Sequence, residues 1–293
     1  MANHESKLVL GSANFGLDYG LSNNSGKISE SELIKIFNEA SASRVNIIDT
    51  AQAYGDSEVR IGSHNASNIN IITKINIGCR SNNSRKSVIR QVEESCERLK
   101  CRNLYAVMLH RPEVLLDDCG PRIISELLSL KEDLITTKIG VSIYSPDILE
   151  EISKLVKFDI IQAPFNIFDQ RILTSGWADR LKENGTEIHT RSVFLQGLLL
   201  MRESNLPKYF SNNWPNLFNS WFEFLKSSRN DALTTSLDFV LQQPWIDNTV
   251  VGVDSAIQLK SLVNIENISD TQCYPQLNCG DENLIDPSKW KLI

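Results

Sequence analysis

The stretch NIIDTAQAYGDSE, residues 46–58, joins a short apolar run to a polar turn. The run from Asn46 to Asp49 has the length and the β-branched residues of a buried strand, and it ends in a carboxylate. Tyr54 follows five residues later, in the turn. In a parallel sheet the strand ends and the loops after them share one edge, so this segment predicts a strand that delivers reactive side chains to a rim.

Similar runs alternate with amphipathic stretches on both sides of this segment. Working outward, we predict strands at Lys7 to Leu10, Asn46 to Asp49, Ile69 to Thr73, Leu104 to Leu109, Thr137 to Val141, Ile160 to Ala163, Glu187 to Arg191 and Thr249 to Gly252. Residues 31–43 are typical of the helical stretches between them, with Leu33, Ile36 and Ala40 at three- and four-residue steps. Eight strands that alternate with helices predict an α/β fold, the (β/α)8 TIM barrel.

The chain has 293 residues, and one such barrel needs about 250. Length alone also allows two smaller domains, but no linker rich in Gly, Pro or Ser divides the chain, so we expect a single domain over residues 1–293. One irregular insertion, Arg202 to Ser228, is rich in aromatic residues. Two interpretations of it stay open: a helix packed on the barrel, or part of a lid over the active site.

Charge and hydropathy exclude several classes of partner. The formal net charge is -6, and the 30 Lys and Arg residues are scattered along the chain, which argues against nucleic acid. No run approaches the roughly 18 apolar residues of a membrane span, and MANHESKLVL has no signal-peptide pattern. We therefore expect a cytoplasmic protein with no membrane partner, and we make no prediction of its oligomeric state.

The six cysteines form no CxxC pair, and the chain is too long to need disulfides for stability. We expect reduced, mainly structural thiols. No metal site is expected either, because none of the four histidines lies at ligand spacing from two cysteines.

Reactive side chains lie at the ends of three consecutive predicted strands. Asp49 ends the second strand and Tyr54 follows it, Lys74 ends the third, and His110 ends the fourth. Each residue alone has an ordinary structural explanation, such as a turn former or a solvated charge. Barrel geometry nevertheless places these strands side by side at one rim.

The four residue types together suit proton transfer to a carbonyl. A phenol holds its proton at neutral pH, and the ammonium of Lys74 would make Tyr54 a stronger acid. Asp49 would hold Lys74 charged, while His110 would orient the carbonyl oxygen or donate to it. No side chain supplies hydride, so a nicotinamide cofactor is expected.

The segment DTAQAYGDSE, residues 49–58, resembles the most characteristic motif of the aldo-keto reductases. Further family positions match in the same order, at LGSANFG (10–16), IITKI (71–75), LYAVMLHRP (104–112), IGVSIYSP (139–146), IIQAPFN (160–166) and VVGVDSAIQL (250–259). The resemblance covers roughly residues 7–265. It implies reduction of a small-molecule aldehyde or ketone to an alcohol with NADP or NAD. It also implies a catalytic tetrad with Tyr54 as general acid, made of Asp49, Tyr54, Lys74 and His110.

The same resemblance implies a cofactor that lies extended across the barrel mouth and needs no GxGxxG loop. Ser142 and Gln162 would bind the carboxamide, a loop after the seventh strand would line the pyrophosphate, and Gly252 and Gln258 would lie near the adenosine. The complete set of implied cofactor contacts is Gly11, Ser12, Asp49, Ser142, Gln162, Arg191, Ser192, Leu195, Gly197, Gly252, Asp254 and Gln258.

Four positions depart from the pattern of many family members. Ile143 replaces an Asn, which removes an amide contact. Arg191 replaces a Tyr that stacks on the nicotinamide, so its guanidinium would either stack in the same way or face an anionic substrate. Asp254 stands where Lys or Arg commonly binds the 2′-phosphate of NADP, which favours NAD or dual use. Ala13 replaces a large aromatic residue, which implies a roomier pocket.

The pairing of LGSANFGLDYGLSNN (10–24) with RSVFLQGLLLM (191–201) is similar to a bacterial branch associated with surface-polysaccharide biosynthesis. It implies a sugar or nucleotide-sugar substrate and a role in carbohydrate biosynthesis. Two other classes stay open: a nicotinamide-binding redox sensor or regulatory subunit with little turnover, and an aldolase-like barrel with Lys74 as Schiff-base lysine.

Overall fold

The computed structural model describes residues 6–21, 26–64, 69–79, 87–228, 231–266 and 273–290. In it, parallel strands close into a barrel in chain order, and the last strand pairs with the first. The strands are β1 Leu8–Gly11, β2 Ile47–Asp49, β3 Asn70–Ile75, β4 Leu104–Leu109, β5 Thr136–Ser142, β6 Ile160–Pro164, β7 Glu187–Arg191 and β8 Asn248–Gly252. The predicted (β/α)8 TIM barrel is confirmed, and every predicted strand end lies within two residues of the observed one.

Successive side chains along each strand point alternately into the barrel and outward to the helices. On β3, Ile71 and Ile75 belong to the main core between the sheet and the helices, whereas Ile72 packs inside the barrel with residues of β4 and β6. Side chains two residues apart share one face of a strand, so Lys74 points into the lumen with Ile72. The sequence predicts β3 to end near Lys74, but the strand continues to Ile75 and buries that lysine.

Helices accompany the strands, and the longer ones cover the outside of the barrel. They are α1 Ala13–Gly16, α2 Glu30–Ala42, α3 Ser57–Ser63, α4 Val88–Leu99, α5 Gly120–Glu132, α6 Leu149–Ile152, α7 Arg171–Thr174, α8 Trp177–Glu183, α9 Lys208–Asn213, α10 Pro215–Ser227, α11 Ala232–Leu241, α12 Ala256–Glu266 and α13 Glu282–Ile285. Helix α2 begins where the hydroxyl of Ser29 accepts a hydrogen bond from the backbone N–H of Glu32, and it buries Leu33, Ile36 and Ala40. Within the described ranges, no helix has the length and apolar character needed to cross a membrane.

The aromatic insertion forms α9 and α10. Phe218, Trp221 and Phe222 of α10 are buried, and the Phe218 ring contacts Phe168 edge to face at 5.4 Å between centroids. This packing matches the first of the two interpretations of the insertion, helices packed on the barrel.

Two cysteines depart from the sequence-based expectation. Cys79, in the loop after β3, and Cys119, just before α5, form a disulfide, whereas the other four cysteines are free thiols. The prediction of reduced thiols was therefore wrong for this pair. Its members are 40 positions apart, and only the adjacency of the loops after β3 and β4 brings them together. The bond thus links the two loops that follow Lys74 and His110.

Candidate active site

Four polar side chains from three neighbouring strands meet at the carboxyl-terminal end of the barrel. Asp49 ends β2, Lys74 lies near the end of β3, His110 directly follows β4, and Tyr54 lies in the turn between β2 and α3. The rings of Tyr54 and His110 meet edge to face with centroids 5.8 Å apart. The Nζ atom of Lys74 lies 5.3 Å from the Tyr54 ring centroid. The structure therefore brings together the four residues of the predicted tetrad.

Lys74 and Asp49 form a buried ion pair in which each residue is at most 2% exposed. The other carboxylate oxygen of Asp49 accepts a hydrogen bond of 2.7 Å from Nε2 of Gln162. Burial alone lowers the pKa of Lys74, but the charges of Asp49 and Tyr54 outweigh it, so the pKa is raised. A Schiff-base lysine needs the free amine, so this pairing argues against the aldolase-like alternative.

His110 is held in its neutral form. Burial, followed by the positive charge of Lys74, lowers its pKa to about 4 from an ordinary value of about 6.5. Its buried Nδ1 atom has no hydrogen-bond partner among the described residues. A neutral imidazole carries one N–H and can donate a hydrogen bond to a carbonyl oxygen at neutral pH.

We expect the imidazole of His110 to titrate near pH 4 in an NMR titration of the histidine ring protons, with its resonance identified by its absence in His110→Gln. Because the folded-state pKa lies below the unfolded value, the unfolded chain takes up a proton first as the pH falls. Stability should therefore be lost between about pH 6.5 and pH 4 and change no further through this group below that. A midpoint near 6.5 in the folded protein would show that Lys74 and burial do not control this imidazole.

Tight backbone packing fixes the turn that carries Tyr54. A Cβ on Gly16 would overlap the carbonyl oxygen of Tyr54 and lie 2.6 Å from the backbone N of Ser57. Gly55 has a φ of +59°, and a Cβ there would overlap the carbonyl oxygen of Gly16. Only glycine allows the loop after β1 to lie this close to the turn after β2, so each segment positions the other.

Gly16→Ala should therefore lower kcat by displacing Tyr54. A displacement of about 1 Å costs about 100-fold when a catalytic group depends on alignment. Steady-state kinetics measure this loss. Gly280→Ala is the matched control, because a Cβ at Gly280 meets open space. Equal kcat values for the two variants would contradict the positioning role of Gly16.

A cleft of about 740 Å³ runs from the tetrad to the first turns of α12. This volume lies in the range of small-molecule and cofactor sites, about 300–1,000 Å³. Its walls come from the ends of the strands and from the loops after β1, β5, β7 and β8. No residue of the insertion 202–228 lines it, which leaves the lid interpretation without support.

All of the predicted cofactor contacts line this cleft except Leu195, whose side chain is buried in the core. Ser142 and Gln162 sit beside the tetrad, where the Ser142 hydroxyl donates to Oε1 of Gln162 at 3.3 Å. Gly252 lies at the end of β8, where a Cβ would meet no atom within 4 Å. A long cleft with polar groups near the tetrad and at the opposite end suits an extended dinucleotide.

The loop after β7 has an uncommon backbone. Ser192, Leu195 and Gln196 have positive φ values of 63°, 47° and 53°, and Gly197 has a φ of 90°. The other described non-glycine residues with positive φ each follow a helix end, where this conformation is ordinary: Arg44, Lys100 and Leu134. Backbone strain away from helix ends is typical of binding sites, which supports a ligand-binding role for residues 192–197.

Arg191 is held against the cleft wall. Its guanidinium donates to the carbonyl oxygen of Ile143 at 2.9 Å and to the Ser192 hydroxyl at 3.1 Å, and it lies 4.8 Å from the Tyr144 ring centroid. Ile143 contributes only this backbone oxygen, because its side chain is buried. Both of these hydrogen-bond acceptors are neutral, its buried Nε has no partner, and among the described residues no carboxylate pairs with Arg191, so its charge is available to a ligand.

Several lining residues were missed by the sequence analysis. Tyr144 directly follows Ile143, and its place after a strand could have marked it. No sequence feature predicts that Asn14 and Asp231 line the cleft. Their positions depend on how the segment after β1 and the start of α11 pack at the rim. Within the described part of the chain, no cluster of His, Cys, Asp and Glu could hold a metal ion.

Comparisons with known proteins agree with this geometry. The family model described as "Aldo/keto reductase family" matches residues 7–273. The fold is similar to that of an aldo-keto reductase from Bacillus halodurans in its holo form, at 20% identity and a TM-score of 0.69, over 94% of this chain and 95% of that one. It is also similar to a glycerol dehydrogenase from Gluconobacter oxydans, at 20% identity and a TM-score of 0.68, over 90% and 88% of the two chains. At such identities these likenesses show the fold alone. No curated protein matches the sequence.

Proposed function

Because the chain belongs to the aldo/keto reductase family and is thus an NAD(P)H-dependent oxidoreductase, we propose that it reduces an aldehyde or ketone to an alcohol with Tyr54 as the general acid. The observation that carries this proposal is the convergence of a phenol, an ammonium, a carboxylate and an imidazole at one end of a cleft. Each of these four groups then has a distinct chemical role.

Tyr54 donates its phenolic proton to the carbonyl oxygen as that oxygen gains negative charge. The ammonium of Lys74 stabilises the phenolate that remains, and Asp49 keeps Lys74 charged and in place. Neutral His110 orients the carbonyl oxygen by donating a hydrogen bond to it. These interactions are strongest in the transition state, when the carbonyl oxygen carries negative charge.

The nicotinamide cofactor supplies the hydride when it is bound. Ser142 and Gln162 would hold its carboxamide, and the strained loop 192–197 would hold its pyrophosphate. Arg191 would stack on its ring or bind an anionic group of the substrate, because this guanidinium has no carboxylate partner among the described residues.

A sugar or nucleotide-sugar carbonyl is the substrate class we propose. Support comes from the rim of the cleft, where Tyr19 and Tyr144 offer aromatic faces, Gln196 offers an amide, and Ala13 leaves room for a bulky group. Membership of the branch associated with surface polysaccharides stays a prediction, and none of the comparisons supports it. A role in carbohydrate biosynthesis, a cytoplasmic location and the absence of nucleic-acid partners also stay predictions.

The test is a screen of NADH and NADPH oxidation by the purified protein against simple aldehydes, ketones, keto-sugars and nucleotide sugars. Turnover of at least one carbonyl, with the highest kcat/KM among sugar carbonyls, is expected. Turnover restricted to small apolar aldehydes would contradict the substrate class. Stoichiometric cofactor binding without turnover on the whole panel would contradict the enzyme and favour the redox sensor.

A further inference from the structure

Helix α4 ends in a turn that brings two cysteines together. The backbone N–H of Lys100 donates to the carbonyl oxygen of Glu97 at 3.3 Å. The backbone N–H of Cys101 donates to the carbonyl oxygen of Cys96 at 3.1 Å. Lys100 has the left-handed conformation, with a φ of 52°. These features define a Schellman motif, in which the side chains at the positions of Cys96 and Cys101 commonly contact each other.

The two thiols of this motif interact and differ in acidity. A hydrogen bond between them, in which Cys96 is the donor, lowers the pKa of Cys101. The same bond, together with burial, raises the pKa of Cys96. Because the thiolate is the nucleophile in thiol chemistry, Cys101 is the reactive member of the pair and Cys96 stabilises its charge.

Both cysteines line a surface cavity of about 410 Å³ beside the end of α4. The cysteines are partly buried, whereas the charged residues of the cavity wall are exposed: Glu93, Glu97, Lys100 and Arg102. The negative end of the α4 dipole opposes a thiolate here, and the positive charges of Lys100 and Arg102 offset it. A small molecule in solution can therefore reach the pair.

This cavity is separate from the cleft beside the tetrad. Strands β3 and β4 are parallel, so α4, which connects them, runs back in the opposite direction. Its last turn therefore lies at the amino-terminal end of the barrel, away from Tyr54. None of the residues that line this cavity lines the cleft. Neither the proposed reduction nor the Cys79–Cys119 disulfide uses these two free thiols.

Packing alone would need only two small apolar side chains at these positions, and cysteine can serve as one. It would not need two thiols that share a hydrogen bond at the wall of a surface cavity. We propose that Cys96 and Cys101 form a dithiol site that undergoes reversible thiol–disulfide exchange with small soluble disulfides such as glutathione disulfide. The chain would thus carry a second chemistry at the end of the barrel opposite its cleft.

The exchange takes two steps and needs no further oxidant. The Cys101 thiolate attacks one sulfur of glutathione disulfide, forms a mixed disulfide and expels one glutathione thiolate, which takes up a proton. Cys96 then loses its proton to solvent, attacks the Cys101 sulfur and expels the second glutathione, which is protonated in turn. The two cysteines are oxidised to a disulfide, and glutathione disulfide is reduced to two thiols.

Peptide mapping tests this exchange on the intact wild-type protein. The reduced protein is incubated with glutathione disulfide, remaining thiols are blocked with iodoacetamide, and trypsin digestion follows without reductant. Cleavage after Arg98 and Lys100 separates the two cysteines, so a disulfide between them links peptide 91–98 to peptide 101–102. We expect this linked peptide, and its loss on addition of dithiothreitol. Its absence, whether the thiols stay free or stop at mixed disulfides, would overturn the proposal.

Brief alkylation and two variants test the separate roles of the thiols. With limiting iodoacetamide, Cys101 of the reduced wild type should be labelled at least about tenfold faster than Cys96. Equal rates would contradict Cys101 as the nucleophile. Cys96→Ser keeps a hydroxyl donor beside Cys101 but cannot close the disulfide, so it should accumulate the mixed disulfide on Cys101. Cys273→Ser is the matched control, since it removes an exposed free thiol and should leave the linked peptide unchanged.

Discussion

Tyr54→Phe should lower kcat by about 10²- to 10⁴-fold while NAD(P)H binding stays at the wild-type level. This range is typical for removal of a positioned proton donor. The substitution deletes one hydroxyl and keeps the ring, so the edge-to-face contact with His110 and the cation–ring contact with Lys74 remain. Steady-state kinetics give kcat, and quenching of tryptophan fluorescence gives the cofactor dissociation constant.

The control is Tyr209→Phe, which removes the same hydroxyl from α9 on the outside of the barrel. It should leave kcat unchanged. If Tyr54→Phe retained the wild-type kcat, Tyr54 could not be the proton donor. If both variants lost activity, the loss would reflect general damage from phenol removal.

Lys74→Met should destabilise the protein by about 3–5 kcal/mol and also remove its activity. The substitution leaves Asp49 charged and buried with Gln162 as its remaining partner, and an uncompensated buried charge costs about that much. Urea denaturation at pH 7 measures the free energy of unfolding. Adding Asp49→Asn should restore most of the stability, because the second change removes the unpaired charge while activity stays lost.

Lys154→Met provides the comparison with an exposed pair. Lys154 lies 3.8 Å from Glu150 at the surface, where ion pairs contribute about 0–1 kcal/mol. The two lysine variants should therefore differ strongly in stability. A Lys74→Met variant as stable as Lys154→Met would show that Asp49 does not carry a buried charge.

Much of the fold follows from local pattern. Most strands are short runs rich in β-branched and apolar residues, and the runs alternate with helical stripes such as Leu33, Ile36 and Ala40. The tetrad could be predicted because barrel geometry fixes where consecutive strands end, so Asp49, Lys74 and His110 needed only their strand positions.

Contacts that arise only from tertiary packing could not be predicted from the sequence. The disulfide joins Cys79 to Cys119 across two loops, and the hydrogen bond from Ala256 to Glu32 joins helices from opposite ends of the chain. Closure of the barrel pairs β1 with β8 and so brings α2 beside α12. Neither contact leaves a periodicity or spacing in the sequence, because nothing local determines it.

The contact between Gly16 and the Tyr54 turn limits how this enzyme could acquire new substrates. Leu17 and Tyr19 belong to the same loop and line the cleft, so they are obvious positions for a protein engineer to vary. Any change that shifts their backbone also shifts the phenol, and selectivity gained there would be offset by slower chemistry. Directed evolution should therefore find compatible solutions more often at Tyr144, which lines the cleft from the separate loop after β5.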